Sequence, residues 1–328
     1  MLVLSVPASY AVATTRSQHP PRAHAASGLT IGISDNSSGI FGDPRFRWLG
    51  VRVARLVVPW DVAERPAEMA WQAAWLQAAR AAGVRPLVAF NDDPSHPRLL
   101  PSPAAYAKAV EAFMRLFPWV SEYSTWNEEN HPRQPTGSNP RRAAQYFNLL
   151  SAYCPSCSIT AADVLDISNM ASWVRTFLRF AHHPRLWGLH NYLDLWLGGH
   201  QRSSQFLRMV PGEVWFTELG GVSWRYERPH GSPRARFVVH SEAQVALDAE
   251  RLLPLASISP RVTRLYYYQW RVPHTLGWAR AHGRLYWDSG LLRPDCSVRR
   301  AFFVLARDLR RNPAHMPRAR RNRAGNCV

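Results

Sequence analysis

The sequence predicts an α/β fold in which eight parallel strands alternate with helices and close into a single (β/α)8 barrel. Eight short apolar runs with strand character are separated by helix-like stretches over most of the 328 residues. Polar and aromatic residues gather just after these runs, as they do at the mouth of a parallel barrel, whose interior is packed with apolar side chains. A chain of this length can bury the core of one such domain.

The predicted strands are short runs rich in branched apolar and aromatic residues, and the predicted helices have helical spacing of their apolar positions. The eight strands are residues 29–33, 51–58, 85–90, 120–126, 158–162, 185–190, 213–217 and 264–268. The helices are residues 67–82, 103–116, 140–153, 169–181, 203–209, 242–256 and 298–310, with a weaker first helix near 43–49.

Local sequence chemistry supports two of these helix boundaries. Gly83 directly follows the helix predicted over 67–82. Glycine is favoured there because the residue after a helix often adopts the left-handed conformation. Ser241 and Gln244 have the spacing of a capping box, which predicts that the helix over 242–256 begins at this point.

The barrel domain is predicted to span residues 28–312. The stretch 273–295 is too long for an ordinary loop and predicts a hairpin-like insertion after the eighth strand, over the barrel mouth. Residues 1–27 combine a short apolar stretch with an Ala-Val-Ala tripeptide, which resembles the cleavage site of a signal peptide; a disordered leader is the alternative. Residues 313–328 form a basic tail, whose arginine block is more typical of a solvated end than of a binding arm.

The formal net charge is +17, and Lys108 is the only lysine, so nearly all of the positive charge comes from arginine. Strong positive charge ordinarily indicates an anionic partner. The arginines are scattered along the chain, however, as a codon bias would also produce. Nucleic-acid binding is therefore not expected, whereas weak attraction to anionic cell-wall polymers stays open. No apolar run approaches the length of a membrane-spanning helix.

The chain has four cysteines: Cys154, Cys157, Cys296 and Cys327. An even count fits an exported protein with disulfides, and the simplest of the three pairings joins Cys154 to Cys157 and Cys296 to Cys327. Four free thiols are the alternative. A single C-x-x-C without a second pair is a poor zinc motif. Together with the leader, the cysteines predict a secreted protein.

Two glutamates end strand-like runs, in the motifs S-T-W-N-E ending at Glu128 and V-W-F-T-E ending at Glu218. Side chains at the carboxyl ends of barrel strands point into one mouth, so these two can face each other. An opposed pair of carboxylic acids can cleave a glycosidic bond, and a retaining mechanism predicts about 5–5.5 Å between the carboxyl groups.

Further residues at the predicted strand ends make this pattern more specific. They are Trp126-Asn127-Glu128 on the fourth strand, His190-Asn191-Tyr192 on the sixth, Thr217-Glu218 on the seventh and Gln269-Trp270 on the eighth. The pattern resembles the retaining glycoside hydrolases of clan A, TIM-barrel enzymes that include the family 5 cellulases and mannanases, and it covers about residues 29–310. Glu129 stands where family 5 usually has proline, and the third strand ends in Phe90-Asn91 rather than histidine, so the resemblance is to the clan.

The resemblance implies that Glu128 is the acid/base and Glu218 the nucleophile of a double displacement. Asn127 would bond the sugar 2-hydroxyl. Arg55 would support the nucleophile, with a buried ion-pair partner as the alternative. His190 and Tyr192 correspond to the histidine and tyrosine of the clan, and Trp270 corresponds to its sugar platform. The alternative for His190 is a histidine of the core, and the alternative for Trp270 is a residue that covers the core. Further substrate-binding candidates at the barrel rim are Asn91, Trp60, Trp224 and Trp278.

The sequence therefore predicts a secreted, monomeric enzyme that cleaves β-glycosidic bonds of a polysaccharide or oligosaccharide. No metal or organic cofactor is implied, since neither H-E-x-x-H nor a phosphate-binding loop occurs. A nucleophile elbow of the G-x-S-x-G type is also missing from the sequence, which disfavours an esterase. The alternatives are a non-catalytic barrel that only binds polysaccharide and a basic protein held at the cell envelope. The sugar, the linkage and endo or exo action stay open.

Overall fold

The computed structural model describes residues 28–227, 236–282 and 287–328, and the predicted leader lies outside them. Twelve strands occur in these ranges. In chain order they are β1 (Thr30–Ser34), β2 (Val53–Pro59), β3 (Arg85–Asn91), β4 (Glu122–Ser124), β5 (Ser158–Thr160), β6 (Asp163–Leu165), β7 (Leu186–His190), β8 (Glu213–Leu219), β9 (Trp224–Glu227), β10 (Arg236–Val239), β11 (Val262–Tyr268) and β12 (Trp287–Asp288).

Nine of the described strands form one parallel sheet that curls into a nearly closed barrel, in the order β5-β4-β3-β2-β1-β11-β8-β7-β6. The segments β5 and β6 are two halves of one barrel strand, interrupted at Ala161 and Ala162. The Ala161 N–H donates to the carbonyl of Leu186 at 2.7 Å, and the Gly188 N–H donates to the carbonyl of Ala162 at 2.8 Å. These bonds join the interrupted strand to β7, so the barrel has the eight positions that the sequence predicts.

Helices follow most of these strands and cover the outside of the barrel. In the described residues they are α1 (Pro44–Leu49), α2 (Pro66–Ala81), α3 (Pro103–Leu116), α4 (Pro140–Tyr153), α5 (Met170–Leu178), α6 (Tyr192–Leu197), α7 (Gln201–Met209), α8 (Glu242–Glu250), α9 (Leu252–Ala256), α10 (Leu276–Ala281) and α11 (Arg300–Asp308). The predicted cap is present, since the Ser241 hydroxyl accepts from the Gln244 N–H at 3.1 Å. Gly83 has the expected left-handed backbone, with φ of 66°.

The helix predicted over 242–256 is two helices, α8 and α9, which meet at Arg251. Pro254 explains the break. A proline has no N–H to donate to the carbonyl four residues earlier, here that of Glu250, and its ring collides with that carbonyl.

The predicted hairpin lies after the seventh barrel position instead of after the eighth. Strands β9 and β10 pair antiparallel in the segment that follows β8, and β12 adds to the other edge of β9. Within its described part, the stretch 273–295 contributes α10 and β12 but no strand pair of its own. The Ser223 N–H donates to the Asp288 carbonyl at 2.7 Å and fixes the two segments beside each other.

Below the mouth, the barrel interior is filled by Val53, Leu87, Trp215 and Tyr266, all of them buried. A β-carbon on Gly32 would lie 2.7 Å from the Tyr266 ring, so glycine is needed at this position to make room for the tyrosine. This packing closes the barrel on the amino-terminal side of the strands, and the interior is a core rather than a channel.

Both predicted disulfides are present, Cys154–Cys157 and Cys296–Cys327. The second ties the tail 313–328 to the segment before α11. The tail folds against the barrel, since Arg271 donates to the Gly325 carbonyl at 2.6 Å. The arginines of the tail are exposed, as expected of a solvated end, while the buried Cys327 holds the segment at the barrel rim. Among the helices of the described ranges, none has the length and apolar character that a membrane span requires.

Candidate active site

Glu128 and Glu218 lie at the carboxyl-terminal mouth of the barrel, Glu218 near the end of β8 and Glu128 just beyond β4. A carboxylate oxygen of each glutamate and a ring nitrogen of His190 all lie within 4.8 Å of one another. The Glu128 side chain is 25% exposed and the Glu218 side chain 13% exposed. The two carboxylates therefore lie close together, and both can be reached from the mouth.

The turn after β4 sends two consecutive glutamates in different directions. Glu128 has a left-handed backbone, with φ of 51°. Glu129 is fully buried. Its carboxyl group accepts from the Thr125 hydroxyl at 2.7 Å and from the Asp163 N–H at 3.3 Å. Burial raises the pKa of Glu129 well above its usual range. Glu129 therefore anchors the turn, while Glu128 faces the mouth.

Arg55 lies fully buried beneath the two glutamates. Its Nη1 donates to Oε2 of Glu218 at 2.8 Å, and its Nη2 donates to Oδ1 of Asn127 at 2.6 Å and to Oδ2 of Asp163 at 2.8 Å. Burial alone would lower the pKa of Arg55, but the carboxylates of Asp163 and Glu218 raise it. Arg55 is thus both a buried ion-pair partner and a direct support of Glu218.

Asp163, the first residue of β6, is the acceptor at the centre of this network. Besides Arg55, its carboxylate accepts from the hydroxyls of Ser124, at 3.1 Å, and Thr217. Oδ1 also lies 3.1 Å from Nε2 of His190. Burial would raise the pKa of Asp163, but the charges of His190 and Arg55 outweigh it and hold the pKa well below its usual range. The sequence marks Asp163 only as a polar strand-end residue, because its partners come from four other strands.

His190 ends β7 and lies between two carboxylates. Its Nδ1 is 3.4 Å from Oε1 of Glu128, and its Nε2 faces Asp163. Burial alone would lower the pKa of His190, but the negative charges of Asp163 and Glu218 raise it from 6.5 to about 10. The ring is therefore an imidazolium at neutral pH, and it interacts directly with Glu128.

Tyr192 begins α6 and donates its hydroxyl to Oε1 of Glu218 at 3.1 Å. Burial and the nearby Glu218 carboxylate raise the pKa of Tyr192 well above its usual range, so the phenol keeps its proton and remains a donor. Each oxygen of Glu218 therefore has one donor, Tyr192 for Oε1 and Arg55 for Oε2.

The two glutamates differ in their electrostatic surroundings. Burial raises the pKa of Glu218, and the charge of Glu128 adds to this effect, while His190 and Arg55 oppose it. Burial would also raise the pKa of Glu128, but the hydrogen bond and charge of His190 outweigh it and lower this pKa. The two carboxyl groups therefore form a coupled pair, with Glu218 influenced mainly by burial and Glu128 by its contact with His190.

Glu128, His190 and Glu218 also form the one group of potential metal ligands found within the described residues. Their chemistry does not fit a metal. His190 is protonated and turns each ring nitrogen toward a carboxylate. Both oxygens of Glu218 already accept from Arg55 and Tyr192. A metal would have to displace these donors, so the set is suited to proton transfer and nucleophilic attack.

No protein-family model matches the sequence. No curated protein sequence is significantly similar to it. Solved structures do match. A glucosidase from Croceicoccus marinus aligns with a TM-score of 0.59 at 13% identity, over 86% of this chain and 65% of the glucosidase. This chain therefore spans slightly less than two thirds of that protein.

Two xylanases match in the same way. A GH30 endoxylanase from Clostridium papyrosolvens has a TM-score of 0.54 and 14% identity, over 86% of this chain and 71% of its own. Xylanase 10B from Thermotoga petrophila, solved with xylobiose, has a TM-score of 0.57 and 9% identity, over 90% of this chain and 99% of the xylanase. This chain therefore shares the TIM-barrel fold of these glycoside hydrolases. At these identities the likeness concerns the fold alone.

The expectation of a sugar platform at Trp270 is corrected. The residue is 2% exposed. Its ring packs edge-on against Phe46 and Phe302, at centroid distances of 5.5 and 5.8 Å, and its Nε1 donates to Asp43 at 3.3 Å. Its backbone N–H donates to Asp35. The ring belongs to the apolar core and presents no face to a sugar.

The other rim candidates are also less open than the sequence suggests. Trp60 is 7% exposed and joins the main apolar core, so it is not at the surface of the cleft. Trp224 is 5% exposed and lies in β9. Trp278 lies in α10 and stacks with the ring of His282 at 4.2 Å. Asn91 does end β3 at the rim, where its Oδ1 accepts from a glutamine side chain at 3.1 Å.

Two aromatic residues near Glu128 and Glu218 that the sequence does not single out are Tyr268 and Trp287. Tyr268 ends β11 two residues after Tyr266, which fills the barrel interior. Alternate residues of a strand share a face, so the spacing could have placed Tyr268 at the mouth. The ring of Trp287 lies 5.3 Å from that of Tyr192. Its position depends on the pairing of β12 with β9, which no local pattern predicts.

Proposed function

We propose that this protein is a glycoside hydrolase that cleaves β-glycosidic bonds of a polysaccharide or oligosaccharide by a retaining double displacement. The observation that carries the proposal is the approach of a Glu128 oxygen to within 4.8 Å of a Glu218 oxygen across the mouth. Retaining enzymes hold their carboxyl groups about 5–5.5 Å apart, whereas inverting enzymes need about 6.5–9.5 Å to admit a water molecule. This short separation supports retention.

In the first step, Glu218 attacks the anomeric carbon while protonated Glu128 delivers its proton to the departing oxygen. Arg55 and Tyr192 each hold one oxygen of Glu218, which fixes the direction of the carboxylate. In the second step, ionised Glu128 removes a proton from water, which attacks the covalent intermediate. The aglycone leaves in the first step and the sugar in the second.

The first step needs a proton on Glu128 and a negative charge on Glu218. Arg55 and Tyr192 each donate to one oxygen of Glu218, and such hydrogen bonds favour the ionised form of a carboxyl group. These contacts support Glu218 as the nucleophile.

Asn127 is placed to act on the sugar itself. Its Oδ1 accepts from Arg55, so its side-chain amide N–H groups are the ones that remain to face the mouth. This orientation supports the role of a donor to the sugar 2-hydroxyl. Hydrogen bonds at this hydroxyl strengthen in the transition state and contribute several kcal/mol in glycosidases.

We also propose that the mature protein is exported. Two disulfides in one chain support this, because disulfides persist in oxidising compartments and are rare in the cytosol of mesophiles. Thiol titration of denatured protein recovered from culture medium should find no free cysteine. Four free thiols would contradict the export proposal.

The function is tested first on the wild-type protein, with aryl β-glycosides and with β-glucan, mannan and xylan as substrates. Glu218→Ala should then abolish turnover, because no covalent intermediate can form. Glu128→Ala should retain the first step with activated aryl glycosides, whose leaving groups need little protonation, and show a burst followed by slow turnover. Glu250→Ala, on the outer helix α8, is the matched control and should keep full activity.

Azide separates the two roles. In Glu128→Ala it should speed the second step and give a glycosyl azide of retained configuration, whereas in Glu218→Ala it should replace the nucleophile and give the inverted product. Wild-type activity that survives in both variants would place the chemistry elsewhere. Glycan binding with no hydrolysis of any substrate would instead favour the non-catalytic barrel.

A further inference from the structure

A cavity of about 840 Å³ opens beside the catalytic pair, between the end of β11, residues 36–39 and the packed tail. Tyr268 and Trp287 line it on the side of the glutamates. The ring of Trp287 contacts Tyr192, whose hydroxyl bonds Glu218. Burial and the charge of Glu218 also hold the pKa of Tyr268 well above its usual range. The cavity therefore adjoins the site of bond cleavage.

Two arginines give this cavity its charge. Arg271 and Arg321 both line it, the first from the segment after β11 and the second from the tail. Arg271 is fixed in the wall, because Nη1 donates to the Pro294 carbonyl at 3.1 Å and Nη2 to the Gly325 carbonyl at 2.6 Å. Within the described ranges, neither guanidinium forms an ion pair with a carboxylate. Burial and the charge of Arg321 lower the pKa of Arg271, and the charges of Asp35 and Asp43 oppose this only in part.

The acidic residue in the lining does not neutralise this charge by direct contact. The carboxylate of Asp35 is buried and accepts from three backbone N–H groups, those of Ser37 at 2.7 Å, Trp270 at 2.9 Å and Arg271 at 3.2 Å. Burial raises its pKa to about 6. Asp35 therefore joins residues 35–37 to the segment after β11, and the cavity presents guanidinium groups to its contents.

The outer wall of the cavity carries an exposed aromatic ring. Trp71, on α2, lines the cavity and is 78% exposed. Sugars present C–H faces that pack on aromatic rings, so an exposed ring at the edge of a cavity can hold a sugar. A cavity with a ring on one wall and fixed polar groups on another has the composition of a ligand site.

We propose that this cavity binds an anionic sugar residue of the glycan, adjacent to the residue that Glu218 attacks. Arg271 and Arg321 would bind its acidic group, and Trp71 would pack against a further sugar ring. The acidic group is a carboxylate, as in a uronic acid, or a sulfate ester, since a guanidinium binds both through paired N–H donors. The position of the sugar relative to the cleaved bond rests on the proposed function; the charge preference does not.

The test is a binding experiment that requires no turnover. Arg321→Gln removes one guanidinium that makes no hydrogen bond to the rest of the described chain. Arg323→Gln is the matched control, because it removes the same charge from the same tail at an exposed position outside the cavity lining. Both changes are made in full-length protein carrying Glu218→Gln, so that no probe is consumed, and thermal unfolding confirms that each variant is folded.

Three probes of equal length are titrated calorimetrically at low ionic strength: tetragalacturonate, a sulfated galactan tetrasaccharide and neutral xylotetraose. We expect one acidic probe to bind about tenfold more tightly than the neutral one, with this advantage reduced about fivefold or more by Arg321→Gln and unchanged by Arg323→Gln. The acidic probe that shows the effect identifies the group as carboxylate or sulfate. Equal affinity for all three probes, or equal losses in the two variants, would overturn the proposal.

The outcome is separable from that of the proposed function. If no glycan is hydrolysed by wild-type protein while binding of an acidic probe depends on Arg321, the enzymatic proposal fails and the anionic site stands. If neutral glycans are hydrolysed and Arg321→Gln alters neither affinity nor preference, the enzymatic proposal stands and the anionic site is overturned.

Discussion

Nη2 of Arg55 lies 2.8 Å from Oδ2 of Asp163, and neither side chain has any exposed surface. Asp163 at the same time faces the imidazolium of His190 at 3.1 Å. Because a lone buried charge is costly, Asp163 is important as the fully buried carboxylate that both cations beneath Glu128 and Glu218 share.

Replacing Asp163 with asparagine should therefore destabilise the protein and inactivate it together. Breaking a buried ion pair by removing one partner costs about 3–5 kcal/mol. Urea denaturation measures the loss, and Asp295→Asn, at an exposed carboxylate that accepts only from Ser297, should cost less than about 1 kcal/mol. Similar stability of the two variants would mean that Asp163 is not the main counter-ion of Arg55 and His190.

Gly188 should be irreplaceable even by alanine, because a β-carbon there would overlap the carboxylate of Asp163 and lie 2.9 Å from the Thr217 hydroxyl. We expect Gly188→Ala to reduce kcat/KM by about 100-fold or more through displacement of Asp163. Gly277→Ala is the control, since its nearest neighbour would be 3.8 Å away. An alanine tolerated at both positions would show that the Asp163 network can shift without consequence.

The raised pKa of His190 predicts a pH dependence of stability. A folded-state pKa of about 10 against 6.5 means that the charged ring stabilises the fold fully below pH 6.5. This contribution is lost as the pH rises through the folded-state value. The denaturant concentration at the unfolding midpoint should thus decrease in wild-type protein as the pH is raised from 6.5 to 10. The decrease should be smaller in His190→Gln. Parallel curves for the two proteins would contradict the assignment of an imidazolium.

Removing a single hydroxyl tests the support of Glu218. Tyr192→Phe keeps the ring but loses the donor at 3.1 Å from Oε1, so we expect kcat to fall about 10- to 100-fold with little change in stability. Tyr123→Phe removes an equally buried hydroxyl that bonds the Val120 carbonyl, away from the glutamates. It should leave kcat unaltered. Equal effects in both variants would argue against a specific role of Tyr192.

The two disulfides should contribute unequally to stability. Cys296–Cys327 closes a loop with a sequence separation of 31, whereas Cys154–Cys157 has a separation of 3. Loop-closure entropy grows with loop length, so replacing the longer-range pair with serines should cost about 2–4 kcal/mol and the shorter-range pair less. Thermal unfolding of the two double variants measures the difference. A larger loss for Cys154–Cys157 would reverse this order.

The barrel strands could be predicted because strands buried on both faces are continuous apolar runs in the sequence. The interruption at Ala161 and Ala162 could not, since it depends on bonds to β7. The predicted hairpin was misplaced for a related reason. The strand Trp287–Asp288 pairs with Trp224–Glu227, and a pairing between segments so distant along the chain leaves no local periodicity.

The barrel mouth could be predicted from the strands themselves, but the direction of the Trp270 side chain beyond its strand could not. Glu218, His190 and Arg55 meet because parallel strands end at one mouth. Trp270 lies two residues beyond β11, where a backbone bond to Asp35 directs its ring into the core. The place predicted for Trp270 is instead taken by Tyr268, which still follows the side-chain alternation of β11.

The ionised groups buried at the mouth do not balance. Arg55 and His190 are two cations, while Asp163, Glu128 and Glu218 are three potential anions linked to them. A poorly solvated cluster that retains a net charge is unfavourable, and the uptake of one proton by the glutamate pair removes that charge. Electroneutrality thus selects the singly protonated pair, which is the form that a double displacement requires before the glycosidic bond breaks.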